Sequence, residues 1–142
     1  MKKILVVLVL SLSASLAYAS DNTFDCEVQA FRGDTDIPAQ KIQLQPLWIY
    51  KSVYFPELKT TVIATLKEGT PRCGTDPKPS YALEVRVTDG EFKTDGESLP
   101  DKFVVFSASA DTSTQELSVD STVNGNGYSV ECKLSAPADS CE

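Results

Sequence analysis

Asp89, Glu91, Asp95 and Glu97 stand in a short repeat, TDGE at 88–91 and again at 94–97, with Asp101 close behind. Carboxylate oxygens gathered over so short a span are the ligand type that calcium prefers. The register of a helix–loop–helix calcium site fails, because counting from Asp89 puts Lys93 at the fifth position. Two successive Asp-Gly turns carrying solvated acids account for the same residues. No metal and no cofactor are therefore expected, with these acids as the calcium candidate. Paired carboxylates can also hydrolyse glycosides, but that reaction needs a cleft and one carboxyl held protonated, and nothing in the sequence marks either.

The chain has four cysteines and no histidine. Without imidazole there is no Ser-His-Asp or Cys-His nucleophile and no zinc site of the usual kind. No short CxxC spacing supports a four-thiolate metal site either. An even cysteine count in an exported chain is read as disulfides. Cys26 and Cys132 fall at core-facing positions of the first and last strands expected below, so they are paired, leaving Cys73 with Cys141. Spacing also allows the short loop from Cys132 to Cys141.

Two further features could bind a partner. In TPRCGTDPKPS at 70–80, Pro71, Pro77 and Pro79 fix the backbone around Cys73 and present Arg72. A rigid loop beside a disulfide could offer Arg72 to a trypsin-like pocket at low ordering cost. The plainer reading is a connector crossing between sheets. In PLWIYKSVYFPEL, an unbroken strand would put Trp48, Tyr50 and Tyr54 on one face, with about 7 Å between neighbours two apart. Exposed, that row is a platform for a sugar or a protein. Ile42 and Leu44 share its parity, which makes the face continuous with the core, so burial is the expectation. Pro46 interrupts the parity and marks an edge, a bend or a change of strand.

The elements that must position these groups are strands. FDCEVQAF alternates Phe24, Cys26, Val28 and Ala30 against Asp25, Glu27 and Gln29, and YSVECKL does the same near the other end. Between them lie KIQLQ, LWIYKSVYF, TTVIATLK, YALEVRVT, KFVVFSAS and QELSVDSTV. No convincing helix competes. Asp89-Gly90, Asp95-Gly96 and NGNG at 124–127 supply turn chemistry. The expected fold is all-β: an antiparallel β-sandwich of seven or eight strands, disulfide-stabilised, with a small closed barrel as the alternative and the last three strands as a meander.

Residues 1–19 read as a bacterial-type signal peptide: Lys2 and Lys3, an apolar run too short to span a bilayer comfortably, and small residues at Ala17 to Ala19. Its removal leaves a single β domain, 20–142, in the periplasm or the medium. The net charge of −7 becomes more negative once the two lysines leave. Nucleic acid is thus excluded as a partner for want of clustered Lys and Arg, and no later segment is apolar enough to span a membrane. The functional expectation is an exported, non-enzymatic module that binds or inhibits another secreted protein. A carbohydrate-binding module and a small carboxylate-dependent hydrolase are the alternatives.

Overall fold

The computed structural model describes residues 23–68, 80–111 and 116–134. They form eight strands: β1 (Phe24–Arg32), β2 (Thr35–Leu44), β3 (Lys51–Phe55), β4 (Thr60–Glu68), β5 (Ser80–Asp89), β6 (Val104–Asp111), β7 (Glu116–Val123) and β8 (Asn126–Leu134). There is no helix among the described residues. Alternation drives the assignment. In β1, Phe24, Cys26, Val28 and Ala30 are buried while Asp25 and Glu27 are exposed.

The strands make two four-stranded antiparallel sheets, in the orders β2-β1-β8-β7 and β3-β4-β5-β6. The first sheet consists of two hairpins brought together by β1 and β8. Asn124 and Gly125 join β7 to β8 with φ of 52° and 81°, the two consecutive positive values that a two-residue hairpin turn requires. Pro38 lies in β2, an edge strand, where a missing N–H costs no ladder bond on the outer side.

Two expectations need correction. The last three strands are not a meander: β6 pairs with β5 in the second sheet, and only β7 and β8 form a hairpin. The meander is instead β3 to β6. Alternation fixes which face a residue takes but not which strand lies alongside, and β6 and β7 belong to different sheets. Nor is a closed barrel formed, since each sheet ends in two edge strands. The segment holding Arg72 and Cys73 lies outside the described residues. It falls in the sequence between β4 and β5, which are neighbours in one sheet.

The inward faces of both sheets share one buried cluster, with Phe24, Val28 and Val130 from the first and Leu66, Leu83 and Val85 from the second. Phe24 meets Tyr81 edge-on at 4.9 Å between ring centroids. The Tyr128 hydroxyl and Thr60 Oγ1, 2.9 Å apart, satisfy each other inside that core and tie β8 to β4.

Cys26 and Cys132 lie directly opposite each other on β1 and β8 and are bridged, with Cα atoms 4.0 Å apart. The pairing favoured by parity therefore forms, within one sheet. Cys141 lies outside the described residues, like Cys73. The bridge closes a sequence separation of 106 residues, for which chain entropy predicts about 4 to 5 kcal/mol of stabilisation. Cys26→Ala/Cys132→Ala should lower the unfolding free energy by about that amount in urea titrations at matched pH. A loss under about 1 kcal/mol would show that the bridge does not constrain the unfolded chain.

Candidate functional site

The outer face of the second sheet carries the side chains with unusual surroundings. On β4, Val62, Ala64 and Leu66 enter the shared core, which turns Thr61, Ile63, Thr65 and Lys67 outward. The cross-strand register then sets Glu84 opposite Thr65 and Arg86 opposite Ile63, on the same outer face of β5. Beside them, Ser52 and Tyr54 of β3 lie opposite Ile63 and Thr61.

A row of charges and rings runs across this face. Lys67 Nζ sits 4.5 Å from the centre of the Trp48 ring and 2.7 Å from Glu84 Oε2. The other carboxylate oxygen of Glu84 is paired by charge with Arg86 Nη2, though not through a well-directed hydrogen bond. The Arg86 guanidinium lies between two rings, 5.1 Å from the centres of both Tyr50 and Phe103. Each such contact contributes about 0.5 to 2 kcal/mol, the more as water is excluded. Arg86 Nε and Nη1 are buried without a hydrogen-bond partner. The rings therefore provide much of the compensation for its charge.

Trp48 stands apart in two respects. The residue is 58% exposed, beside the exposed Leu47 and Ile49, and its backbone has φ of 61°. An indole-bearing residue rarely takes that left-handed conformation, which costs on the order of 1 to 3 kcal/mol. Neighbouring bonds hold it there: Leu47 bridges to Lys67, the Trp48 N–H donates to Leu66 O, and Thr65 Oγ1 donates to Ile49 O.

The segment from Gly90 to Phe103 crosses the same face as a strap. The Phe92 N–H donates to Thr61 Oγ1, the Thr94 N–H to Ser52 Oγ, the Tyr50 N–H to Gly96 O, and Thr88 Oγ1 to Lys102 O. Under it Ile63 is fully buried although it lies outside the shared core. At Gly96, φ is 105° and an added Cβ would lie 3.3 Å from Ile49 Cγ2, so both the turn and the close approach require glycine. Asp95 braces this turn. Its Oδ1 accepts the N–H groups of Ser98 at 2.7 Å and Glu97 at 3.0 Å. These bonds, that of Ser98 foremost, hold its carboxyl down to about 2.

The structure distributes the sequence-derived candidates unevenly. Trp48, Tyr50 and Tyr54 do share a face, but Trp48 is exposed, so the expectation of a buried row is overturned. The parity argument from Ile42 and Leu44 fails because the chain changes sheets at Pro46, between β2 and β3. Asp89, Glu91, Asp95, Glu97 and Asp101 lie along the strap or at its base, and among the described residues no three acidic, cysteine or histidine side chains gather closely enough to hold a metal ion. Lys67, Glu84, Arg86 and Phe103 were not anticipated. Glu84 and Arg86 left a signal in the charges at alternate positions of YALEVRV, ordinarily a solvated strand face; Lys67 and Phe103 lie outside that stretch.

A groove of about 380 Å³ opens between β3 and the strap, lined by Tyr50, Ser52, Tyr54, Phe92 and Thr94 among others. No protein-family model, curated protein or solved structure matches the chain.

Two outcomes test this description. Trp48→Gly should leave the domain at least as stable as the parent in urea, because relief of the left-handed strain offsets the lost ring contact; a loss above about 2 kcal/mol would mean the indole is a structural prop. Asp95 should titrate with a midpoint near 2 by carbon NMR. A depressed carboxyl contributes stability that is complete above the ordinary aspartate value of about 3.9 and is lost as pH falls through its folded value. Strap resonances should therefore shift between about pH 4 and 2, and in Asp95→Asn that acid-dependent step should be absent.

Proposed function

We propose that the chain is an exported β-sandwich domain that binds a protein partner and catalyses no reaction, with Trp48 as the anchor of the contact. The observation that carries this reading is an indole held outward on a strained backbone, flanked by exposed Leu47 and Ile49. Strain at a bulky residue persists where the surrounding structure enforces it, and such positions concentrate at binding and active sites. Tryptophan is also the side chain most often found to dominate a protein interface. The rigid ring supplies contact area without much ordering cost, and Lys67 fixes one of its faces.

The disulfide supports an oxidising compartment, periplasm or medium. Among the described residues no helix is long and apolar enough to cross a membrane. The acidic net charge favours a cationic partner through steering. Inhibition of a trypsin-like enzyme through Arg72 is one form of this proposal and is tested by Arg72→Ala in an inhibition assay.

A second reading has its own support. The groove beside β3 sets the rings of Tyr50 and Tyr54 beside Glu91 and Lys93, a mixture of rings and polar groups suited to a sugar.

The deciding experiment is affinity capture with the mature, oxidised protein on envelope and culture extracts, run beside Trp48→Ala. A stoichiometric protein partner, bound at least about tenfold more weakly by the variant, is expected. Equal retention by both would move the contact away from this face. With no protein retained, and quenching of the single tryptophan by one member of a glycan panel, the sugar reading would replace it.

A further inference from the structure

Four strands end the two sheets, and three carry the features that keep edges from pairing. β2 contains Pro38, Asp36 and Lys41. β7 contains Glu116 and Asp120. β3 is five residues long, begins at Lys51, and is flanked by the strap through Tyr50 and Ser52. β6 has none of these. It runs VVFSASAD, without charge until its last residue and without proline. Val104 and Val105 at its start are 50% and 47% exposed, with Phe103 before them at 37%.

We propose that β6 pairs with β6 of a second copy, antiparallel about a two-fold axis at Ser107, to join the two β3-to-β6 sheets into one of eight strands. Self-complementarity identifies the occupant. With Ser107 opposite its own copy, Phe106 falls opposite Ala108 of the other chain, and Ala108 opposite Phe106, so a large side chain meets a small one on the core side at both symmetric positions. On the outer side two hydroxyls meet. No charged residue faces a like charge along the pairing. On a chain of net charge −7, β6 is thus the edge strand that brings no charged side chain before Asp111, no proline and no strap to the pairing. The exposed acids of the neighbouring β7 still repel across the dimer, so association strengthens as salt screens them. A single strand pairing buries less than the roughly 800 Å² per partner of a standard interface, which makes this a weak, concentration-dependent dimer.

The test is sedimentation equilibrium of the oxidised chain at low and moderate salt, together with cross-linking. The parent should dimerise, more tightly at the higher salt, and Ser107→Lys should weaken the dimer at least about tenfold by setting like charges opposite each other. Ser107 is exposed, so this change leaves the core alone. Ser107→Cys should form a covalent dimer under mild oxidation, because directly paired residues lie within disulfide reach. Ser118→Cys, exposed on β7, serves as the control for an added thiol. A parent that stays monomeric at a concentration of about 500 µM, or a Ser107→Cys variant that cross-links no faster than Ser118→Cys, overturns the proposal. Trp48→Ala should dimerise like the parent, which separates this inference from the partner-binding reading.

Discussion

The antiparallel pairing of β1 with β8 is the constraint on which the rest of the structure depends. These are the first and last described strands, and they lie side by side in the middle of the first sheet. Without that pairing the sheet falls into two hairpins, neither of which is stable alone in water, and the second sheet loses the surface that covers its apolar side. Loop-closure entropy opposes the pairing, though it grows only slowly with length. The Cys26–Cys132 bridge sits within this pairing and limits the entropy of the unfolded chain. The second sheet carries a different burden, because β3 to β6 succeed one another in sequence and in space. Its pairing is comparatively local, whereas that of β1 and β8 must await the whole chain.

Because the two inward faces satisfy each other, the outer face of β3 to β6 is relieved of holding the fold together. It can therefore tolerate groups that a core cannot. Arg86 leaves two buried donors unpaired, and Trp48 occupies a backbone region costly for its type. Both departures from local preference fall on one face, joined through Lys67 and Glu84. The strap adds a second layer there, whose donors are met by Thr61 and Ser52. Local inconsistency concentrated against a globally consistent background is the pattern expected where a surface is kept for binding.

All eight strands were legible in the sequence because alternation records a strand facing a core on one side. The turn at Asn124 and Gly125 was legible because few residues accept its backbone angles. Alternation is silent about neighbours, and for that reason β6 was placed with β7 and β8. The fate of Trp48 was obscured differently. Parity can be carried from Ile42 to Tyr50 only if the strand continues, and Pro46 was the sole letter to indicate otherwise. Lys67 over Trp48 and Arg86 between Tyr50 and Phe103 could not be read at all. Such contacts join residues from different strands, so they are defined only once pairing and register are.

Edge pairing and the exposed indole acquire a joint consequence through the geometry of antiparallel strands. Residues directly opposite each other across such a pair project to the same side. Two copies joined through β6 would thus turn both outer faces, and both Trp48 surfaces, the same way on one continuous sheet. A partner that repeats, such as an oligomer or an array on a surface, would engage both at once. The second contact would then be intramolecular, raising the apparent affinity by about 10² to 10⁴ without any new interaction. A weak edge contact suits that use. If both proposals hold, such a dimer would stay apart in dilute solution and assemble where its partner is dense, so that the β6 edge would favour crowded targets over sparse ones.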